Sequence, residues 1–307
     1  MEPIPQGKPA EKQPVFFGKF SGNLEEVVCP ICQAPPPPVV LYNKKEGGIK
    51  FLSCPGCSLH YASPRFDEPS LLQIYENESF TDFSRYQTWS YQQWAQSRNR
   101  SFIVSQLKSR LVLSYTGAGG KVLDVGCATG EFCLEASKQG LACEGIDISK
   151  KMSDIARQTL GVPANCLDIA DFNPPYLFDA LVLWDVLEHV YDPTLILKHC
   201  HRLLKKGGHL FAQVPNVDGI SNRFKDLRCR LGLSHKDYAH FGFPYHLYFF
   251  GKESLGKLLA KADLQAVHFE SWSHNYKNGK DAFPLKQINR LVNKACISDY
   301  IIVVGQK

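Results

Sequence analysis

No stretch of this 307-residue chain approaches the roughly 20 consecutive apolar residues that span a bilayer, which sets aside a helical membrane protein. The opening MEPIPQGKPAEKQPV has no apolar core of the kind a secretory signal needs, so the expected location is the cytoplasm. A strong charge of one sign is missing too. The formal net charge is +5 and the basic residues are dispersed, so charge neither demands nor excludes a nucleic-acid partner. What is present, with 44% hydrophobic residues, suffices for one sizeable α/β domain and a smaller appendage.

Cysteine is plentiful, but without an export signal disulfides are not expected. Of the 11 cysteines, four form two pairs, Cys29-Pro30-Ile31-Cys32 and Cys54-Pro55-Gly56-Cys57. This is zinc-ribbon spacing: each pair sits on a tight knuckle, and the residues between, including Val39 to Tyr42, form the hairpin that brings the pairs onto one tetrahedral ion. Four thiolates leave no open coordination position, so zinc held by Cys29, Cys32, Cys54 and Cys57 is expected to be structural. His60, just past the second knuckle, reads as a surface or packing residue rather than a fifth ligand. The other cysteines lie mostly among apolar or small residues and read as small hydrophobes.

Residues 1–22, rich in Pro, Lys and Gln, are expected to be a flexible lead-in, with the ribbon over 23–66. Across 67–115, apolar and aromatic residues recur at helical spacing, among them Leu71, Ile74, Trp89, Tyr91, Trp94, Phe102 and Leu107. They predict two or three helices that pack the ribbon against the main domain. From 116 to 307, strands are predicted at 122–125, 143–147, 164–168, 180–184, 209–214, 266–272 and 300–304, with helical patterns between them. The alternation implies an α/β fold, a seven-stranded, mostly parallel sheet with helices on both faces.

The first of these strands runs into Gly126-Cys127-Ala128-Thr129-Gly130 and then a helix predicted over 131–139. Strand, glycine turn and helix N-terminus make a nucleotide corner of an open sheet. A dinucleotide site would need G-x-G-x-x-G with its diphosphate on the helix end, yet positions 128 and 131 hold Ala and Glu. A carboxylate in the first helical turn also competes with a diphosphate for the same N–H groups. Asp124, Glu131, Asp147 and Asp168 together suit a nucleoside that carries positive charge.

VLDVGCATG at 122–130 resembles the first motif of the Rossmann-like S-adenosylmethionine-dependent methyltransferases, and the likeness extends over about 121–307. It implies a cofactor site in which Asp124, Gly126, Cys127 and Gly130 hold the amino-acid part and Asp147, with Ile148 beside it, accepts the ribose hydroxyls. Asp168 and Ile169 would meet the adenine, and Trp184 and Asp185 would flank the methyl donor. Ala128 departs from the family's usual glycine, which a small residue allows when its φ is negative. The whole chain resembles one branch that carries an N-terminal zinc ribbon, then a segment like LLQIYENESF, then WDVLEHV, HRLLKKGG, VPN and YHLYFF, all in order here. Such proteins are similar to enzymes that act on small metabolites or sugars.

Methyl transfer is an in-line displacement, so the enzyme positions donor and acceptor and, for a hydroxyl acceptor, removes a proton. If 185–189 is helical, Asp185, Glu188 and His189 share one face. His189 is then a candidate general base oriented by a carboxylate. The resemblance to quinone-pathway O-methyltransferases implies instead that the three ligate magnesium; a capping or packing role is the third reading. His246, in the insert between the fifth and sixth strands, is a second candidate base, with Tyr248 close by. The insert's Arg223, Lys225, Arg228, Arg230, His235, Lys236 and His240 suit either an anionic acceptor or a solvated lid. The expected function is methyl transfer to a small-molecule hydroxyl of a sugar, a quinone-like ring or another metabolite. An RNA methyltransferase with the ribbon as platform ranks below it, because 29–66 offers only Lys44, Lys45, Lys50 and Arg65 as basic side chains. A non-catalytic cofactor-binding partner is the remaining alternative, and the oligomeric state is not legible.

Overall fold

Residues 15–17, 20–33, 39–43, 48–77, 99–231, 233, 242–273 and 293–307 are described by the computed structural model. Trp89, Tyr91, Trp94, His235, Lys236 and His240 lie outside the described residues. The N-terminal part holds the hairpin β1 (Val15–Phe17) and β2 (Phe20–Gly22), then β3 (Leu24–Glu25), β4 (Val40–Asn43), β5 (Lys50–Ser53), β6 (His60–Ser63) and β7 (Arg65–Phe66). Two helices follow among the described residues, α1 (Glu68–Asn77) and α2 (Asn99–Thr116).

The rest of the chain alternates strand and helix: β8 (Lys121–Val125), α3 (Glu131–Lys138), β9 (Ala142–Asp147), α4 (Lys150–Leu160), β10 (Ala164–Cys166), β11 (Phe178–Trp184), α5 (Pro193–Leu203) and β12 (Leu204–Pro215). It ends with α6 (Ile220–Arg230), β13 (Tyr248–Phe249), α7 (Lys252–Lys261), β14 (Gln265–Trp272) and β15 (Tyr300–Gln306). The main sheet has seven strands in the order β10-β9-β8-β11-β12-β15-β14, as the alternation predicts. β15, inserted between β12 and β14, runs antiparallel to the other six strands.

Successive side chains of a strand point to opposite faces, and the two cores follow that period. Leu123, Val125, Leu181, Leu183, Leu210 and Ala212 face one core with α5 and α7. Val122, Ala180, Val182 and Phe211 face the other, with α2, α3 and α4. Local chemistry starts and stops the helices. Asp192 caps α5 by accepting the Leu195 N–H (2.9 Å), with Pro193 at its first turn. Ser149 caps α4, and Gly161 ends it at φ 66°.

Two strand expectations shift. The strand predicted over 164–168 stops at Cys166, so Asp168 stands in the loop beyond. The strand predicted to begin at 209 begins at Leu204 and continues through Gly207, whose N–H bonds the Lys307 carbonyl (3.0 Å) at the C-terminal strand.

The cysteine-bearing region is built into the main domain. Its sheet, ordered β13-β6-β5-β4, is completed by β13 from the insert, with Tyr248 opposite Tyr61 and Phe249 opposite His60. Ser58 donates to Glu253 on α7 (2.7 Å) and Lys257 donates to the Gly56 carbonyl (2.7 Å). Ile31, Phe51, Leu59 and Phe66 share one apolar cluster with Leu187, Leu247, Leu255 and Leu258.

Candidate functional site

The glycine turn stands at the carboxyl end of β8, where open parallel sheets hold their ligands. Gly126 has φ 74°, and a Cβ there would meet Val186 Cγ2 at 2.8 Å; Gly130 has φ 84°, and a Cβ would meet Val162 Cγ2 at 2.6 Å. Both positions therefore exclude side chains for two reasons, conformation and space. Ala128 has φ 46°. The expectation of a negative φ is overturned: alanine occupies the left-handed position of the glycine it replaces, a strained choice for an L-residue. Its N–H donates to Asp147 Oδ2 (2.9 Å), which ties the turn to the end of β9.

The acids of this edge differ in burial. Asp147 is half-buried, and its other oxygen accepts the Ser149 N–H (2.8 Å). Burial raises its pKa, against the pull of those two N–H bonds. Asp124 is 2% exposed, and burial pushes its pKa up to about 7, opposed by the Lys108 charge and by the Cys133 thiol that donates to it. Glu131, buried in the first turn of α3, accepts the Thr129 hydroxyl (2.6 Å). Asp168 is exposed and accepts the Ala170 N–H (2.7 Å); Ile169 is buried and Ile148 exposed. Cys127 is buried, and burial raises its thiol pKa, which leaves it no nucleophilic character.

Lys108 is a residue that sequence reading missed. It lies on α2 with its ammonium 4.6 Å from the Trp184 ring centre and 3.8 Å from Asp185 Oδ2. Burial lowers its pKa while Asp185, Asp124 and Glu188 raise it. Nothing in α2's sequence marks this lysine among other helical polar residues; only the docking of α2 on β11 and β12 brings it to the strand ends.

The segment after β11 is a turn rather than the helix on which Asp185, Glu188 and His189 were expected to share a face. Asp185 has φ 59° and binds Gln213 Nε2 through both oxygens (2.9 and 2.8 Å), while Gln213 Oε1 accepts the Trp272 indole N–H (2.7 Å). Gln213 and Trp272 were not anticipated. Asp185 is therefore turned toward β12 and β14. Glu188, His189 and His246 converge instead, each offering a ligand atom within 4.8 Å of the others, and the two imidazole rings are 4.7 Å apart at 81°. The two histidines proposed separately from sequence thus stand together, 57 positions apart in the chain (246 − 189).

Glu188 is 1% exposed, and neither carboxylate oxygen has a hydrogen-bond partner among the described residues. Burial, and next the Asp185 charge, hold its pKa well above the usual carboxylate range. His189 Nδ1 lies 3.0 Å from the Tyr245 carbonyl, which only accepts, so Nδ1 carries the proton and the neutral ring keeps its lone pair on Nε2. Burial lowers its pKa, so the imidazole is neutral at physiological pH. This cluster abuts the glycine turn: Val186, packed against Gly126, accepts the His189 N–H (3.0 Å).

The cysteine cluster expected from sequence is also assembled. The sulfur atoms of Cys29, Cys32, Cys54 and Cys57 lie within 4.8 Å of one another, with Cys29 and Cys57 3.4 Å apart. Each knuckle is followed by a left-handed residue, Gln33 (φ 53°) or Ser58 (φ 59°), which folds the chain back over its thiols.

The model of the methyltransferase-domain family matches residues 91–269. The ubiquinone biosynthesis O-methyltransferase of Coxiella burnetii (strain Dugway 5J108-111) is 29% identical over 174 residues, 53% of this chain and 73% of its own length. That of Chromobacterium violaceum is 37% identical over 106 residues, 32% of this chain and 46% of its own. Among solved structures, the Burkholderia thailandensis 1,6-didemethyltoxoflavin-N1-methyltransferase bound to S-adenosylhomocysteine superposes with a TM-score of 0.52 at 13% identity, covering 86% of this chain and 98% of its own. The Synechocystis PCC 6803 magnesium protoporphyrin IX methyltransferase bound to S-adenosylhomocysteine gives 0.51 at 16% identity, covering 78% and 100%. At these identities the structural likeness is one of fold. The family model spans more than half of the sequence, so this chain belongs to the methyltransferase-domain family and is an S-adenosylmethionine-dependent methyltransferase.

Proposed function

We propose that the enzyme transfers the methyl group of S-adenosylmethionine to a hydroxyl of a small-molecule acceptor, with His189 as the proton acceptor. The observation that carries this reading is the convergence of His189 and His246 on the buried Glu188, against the glycine turn. The acceptor oxygen attacks the methyl carbon, the carbon–sulfur bond breaks in line, and S-adenosylhomocysteine leaves neutral at sulfur. The acceptor's proton passes to His189 Nε2, whose ring is oriented by the Tyr245 carbonyl. The curated relatives named for ubiquinone biosynthesis support an aromatic, quinone-like hydroxyl as the first acceptor to try. We further read Cys29, Cys32, Cys54 and Cys57 as ligands of one structural zinc, which the four close thiols fit.

The magnesium set implied by the resemblance does not fit, because Asp185 has both oxygens on Gln213. One carboxylate and two imidazoles favour a transition ion over magnesium. The unpartnered oxygens of Glu188 support that second reading. Two measurements separate the possibilities. Incubating the enzyme with labelled S-adenosylmethionine and a panel of phenols, catechols and sugars is expected to label an oxygen of one of them, and His189→Ala is expected to lower that rate by roughly 10²–10⁴-fold with cofactor affinity unchanged. Full activity in the variant would remove His189 from the chemistry. Calorimetric titration of the zinc-loaded enzyme with manganese decides the second reading: a further ion per chain that is lost in His246→Ala establishes it, and no uptake refutes it.

A further inference from the structure

The two converging histidines sit on separate segments, and a residue of the cysteine-bearing region braces both segments. Arg65, on β7, has its side chain only 6% exposed. Its Nε donates to Glu25 (2.9 Å) and its Nη1 donates to the Tyr248 hydroxyl (2.8 Å). The guanidinium lies 4.5 Å from the Tyr191 ring centre and 5.5 Å from that of Tyr248. Tyr248 in turn donates to the Tyr191 carbonyl (2.7 Å), and Tyr191 donates to the Phe66 carbonyl (3.0 Å). Tyr191 is two residues past His189, and Tyr248 is two residues past His246. Between these anchors, the Leu247 N–H donates to the Glu188 carbonyl (2.7 Å).

We infer that Arg65 is a positioning residue that sets the spacing of His189 and His246, so that the cysteine-bearing region is a wall of the catalytic site rather than an appendage. The physical reason is the shape of the guanidinium. It is planar, permanently charged, able to bond in two directions in its plane and to stack on rings above and below. Among the described residues Arg65 joins Glu25, Tyr248 and Tyr191 at once, and lysine, a point charge on a flexible stem, would keep the charge but not the fork. Glu25 on β3, itself 38% exposed, pairs with the buried charge, which offsets the cost of leaving the cation alone in this core. Because β6 pairs with β13 next to these tyrosines, the order of the β5–β6 sheet reaches the insert through the same strand that follows His246.

This inference rests on the catalytic reading of the two histidines, but its test reads their geometry and not turnover, so either can fail alone. Imidazole resonances of His189 and His246 are recorded at one fixed pH in the zinc-loaded full chain, with assignments from His189→Gln and His246→Gln. Arg65→Lys and Arg65→Met are expected to shift or exchange-broaden both sets, while zinc content stays unchanged and S-adenosylmethionine affinity stays within about twofold. Tyr248→Phe, which removes one hydroxyl and keeps the ring, is expected to move the His246 set and, more weakly, the His189 set. Should an Arg65 variant fail to fold, Tyr248→Phe decides the matter. Unmoved resonances in a folded Arg65→Met, or in Tyr248→Phe, would overturn the inference, as would a loss of cofactor affinity that tracks the histidine shifts.

Discussion

The two halves of the proposed site are built differently. On the cofactor side, Gly126, Gly130, Asp147 and Asp168 each lie at or just beyond the end of β8, β9 or β10, and the two acids are held by backbone N–H groups of these strand-end loops: Asp147 by those of Ala128 and Ser149, Asp168 by that of Ala170. On the acceptor side, Arg65, Lys108, Glu188, Gln213, His246 and Trp272 arrive from six different elements or loops, and their contacts join elements far apart in the chain: Arg65 to Tyr248, Lys108 and Gln213 to Asp185, Trp272 to Gln213, and Glu188 beside His246. A site whose parts are local tolerates change in the rest of the chain. One whose parts are distant depends on everything that docks them.

The largest effect expected from that contrast lies far from the chemistry. Replacing Cys29 and Cys32 together by Ser removes two of the four converging thiols from a fully packed core, and metal-linked folding energy is on the order of 10 kcal/mol. Metal analysis and circular dichroism are expected to report loss of zinc together with loss of folded structure over the acceptor side. If zinc is lost while the histidine resonances and thermal stability stay put, the two halves are not joined as described.

Next in size is Gly126→Ala. A residue at φ 74° costs about 1–2 kcal/mol in the left-handed region, and the added methyl collides with Val186, which carries the acceptor-side turn. Cofactor affinity by calorimetry is expected to fall by at least about tenfold, roughly 1.4 kcal/mol. Wild-type affinity in this variant would mean that the corner is not the cofactor site.

The pH dependence of cofactor binding sharpens the electrostatics of the corner. Burial raises the Asp124 pKa to about 7, so in the free protein the group is protonated below that pH. A cationic cofactor favours the ionised form, so binding at lower pH must first expel a proton. Affinity is therefore full above pH 7 and is expected to fall by about tenfold between about pH 8 and about pH 6. In Asp124→Asn the profile should be flat; an unchanged slope would assign the titration to another group.

The smallest effect is a gain. Ala128→Gly relieves a left-handed alanine at φ 46°, and after the added flexibility of the unfolded chain the net change is under about 1 kcal/mol, a rise of about 2 °C in the unfolding midpoint. A drop in midpoint would show that the Ala128 methyl packs favourably in the turn.

These differences follow the distance over which each feature is specified. The sequence alone determined the seven-stranded sheet, because alternating strand and helix patterns with short connections leave few ways to bury both faces. It also determined the chemistry of the corner, since the strand, glycine turn and helix around Gly126 and Gly130, and the apolar runs that end near Asp147 and Asp168, are each written within a few positions, and the pairing of the CxxC knuckles, whose spacing encodes the turn. Tertiary structure decided the rest. Whether Asp185 or His246 joins Glu188 and His189 depended on Gln213 of β12 and Trp272 of β14 drawing Asp185 away, contacts with no periodic trace in the chain. Lys108 and Arg65 likewise became parts of the site only when α2 and β7 docked, because a side chain's role across a long loop depends on packing that residue spacing does not encode.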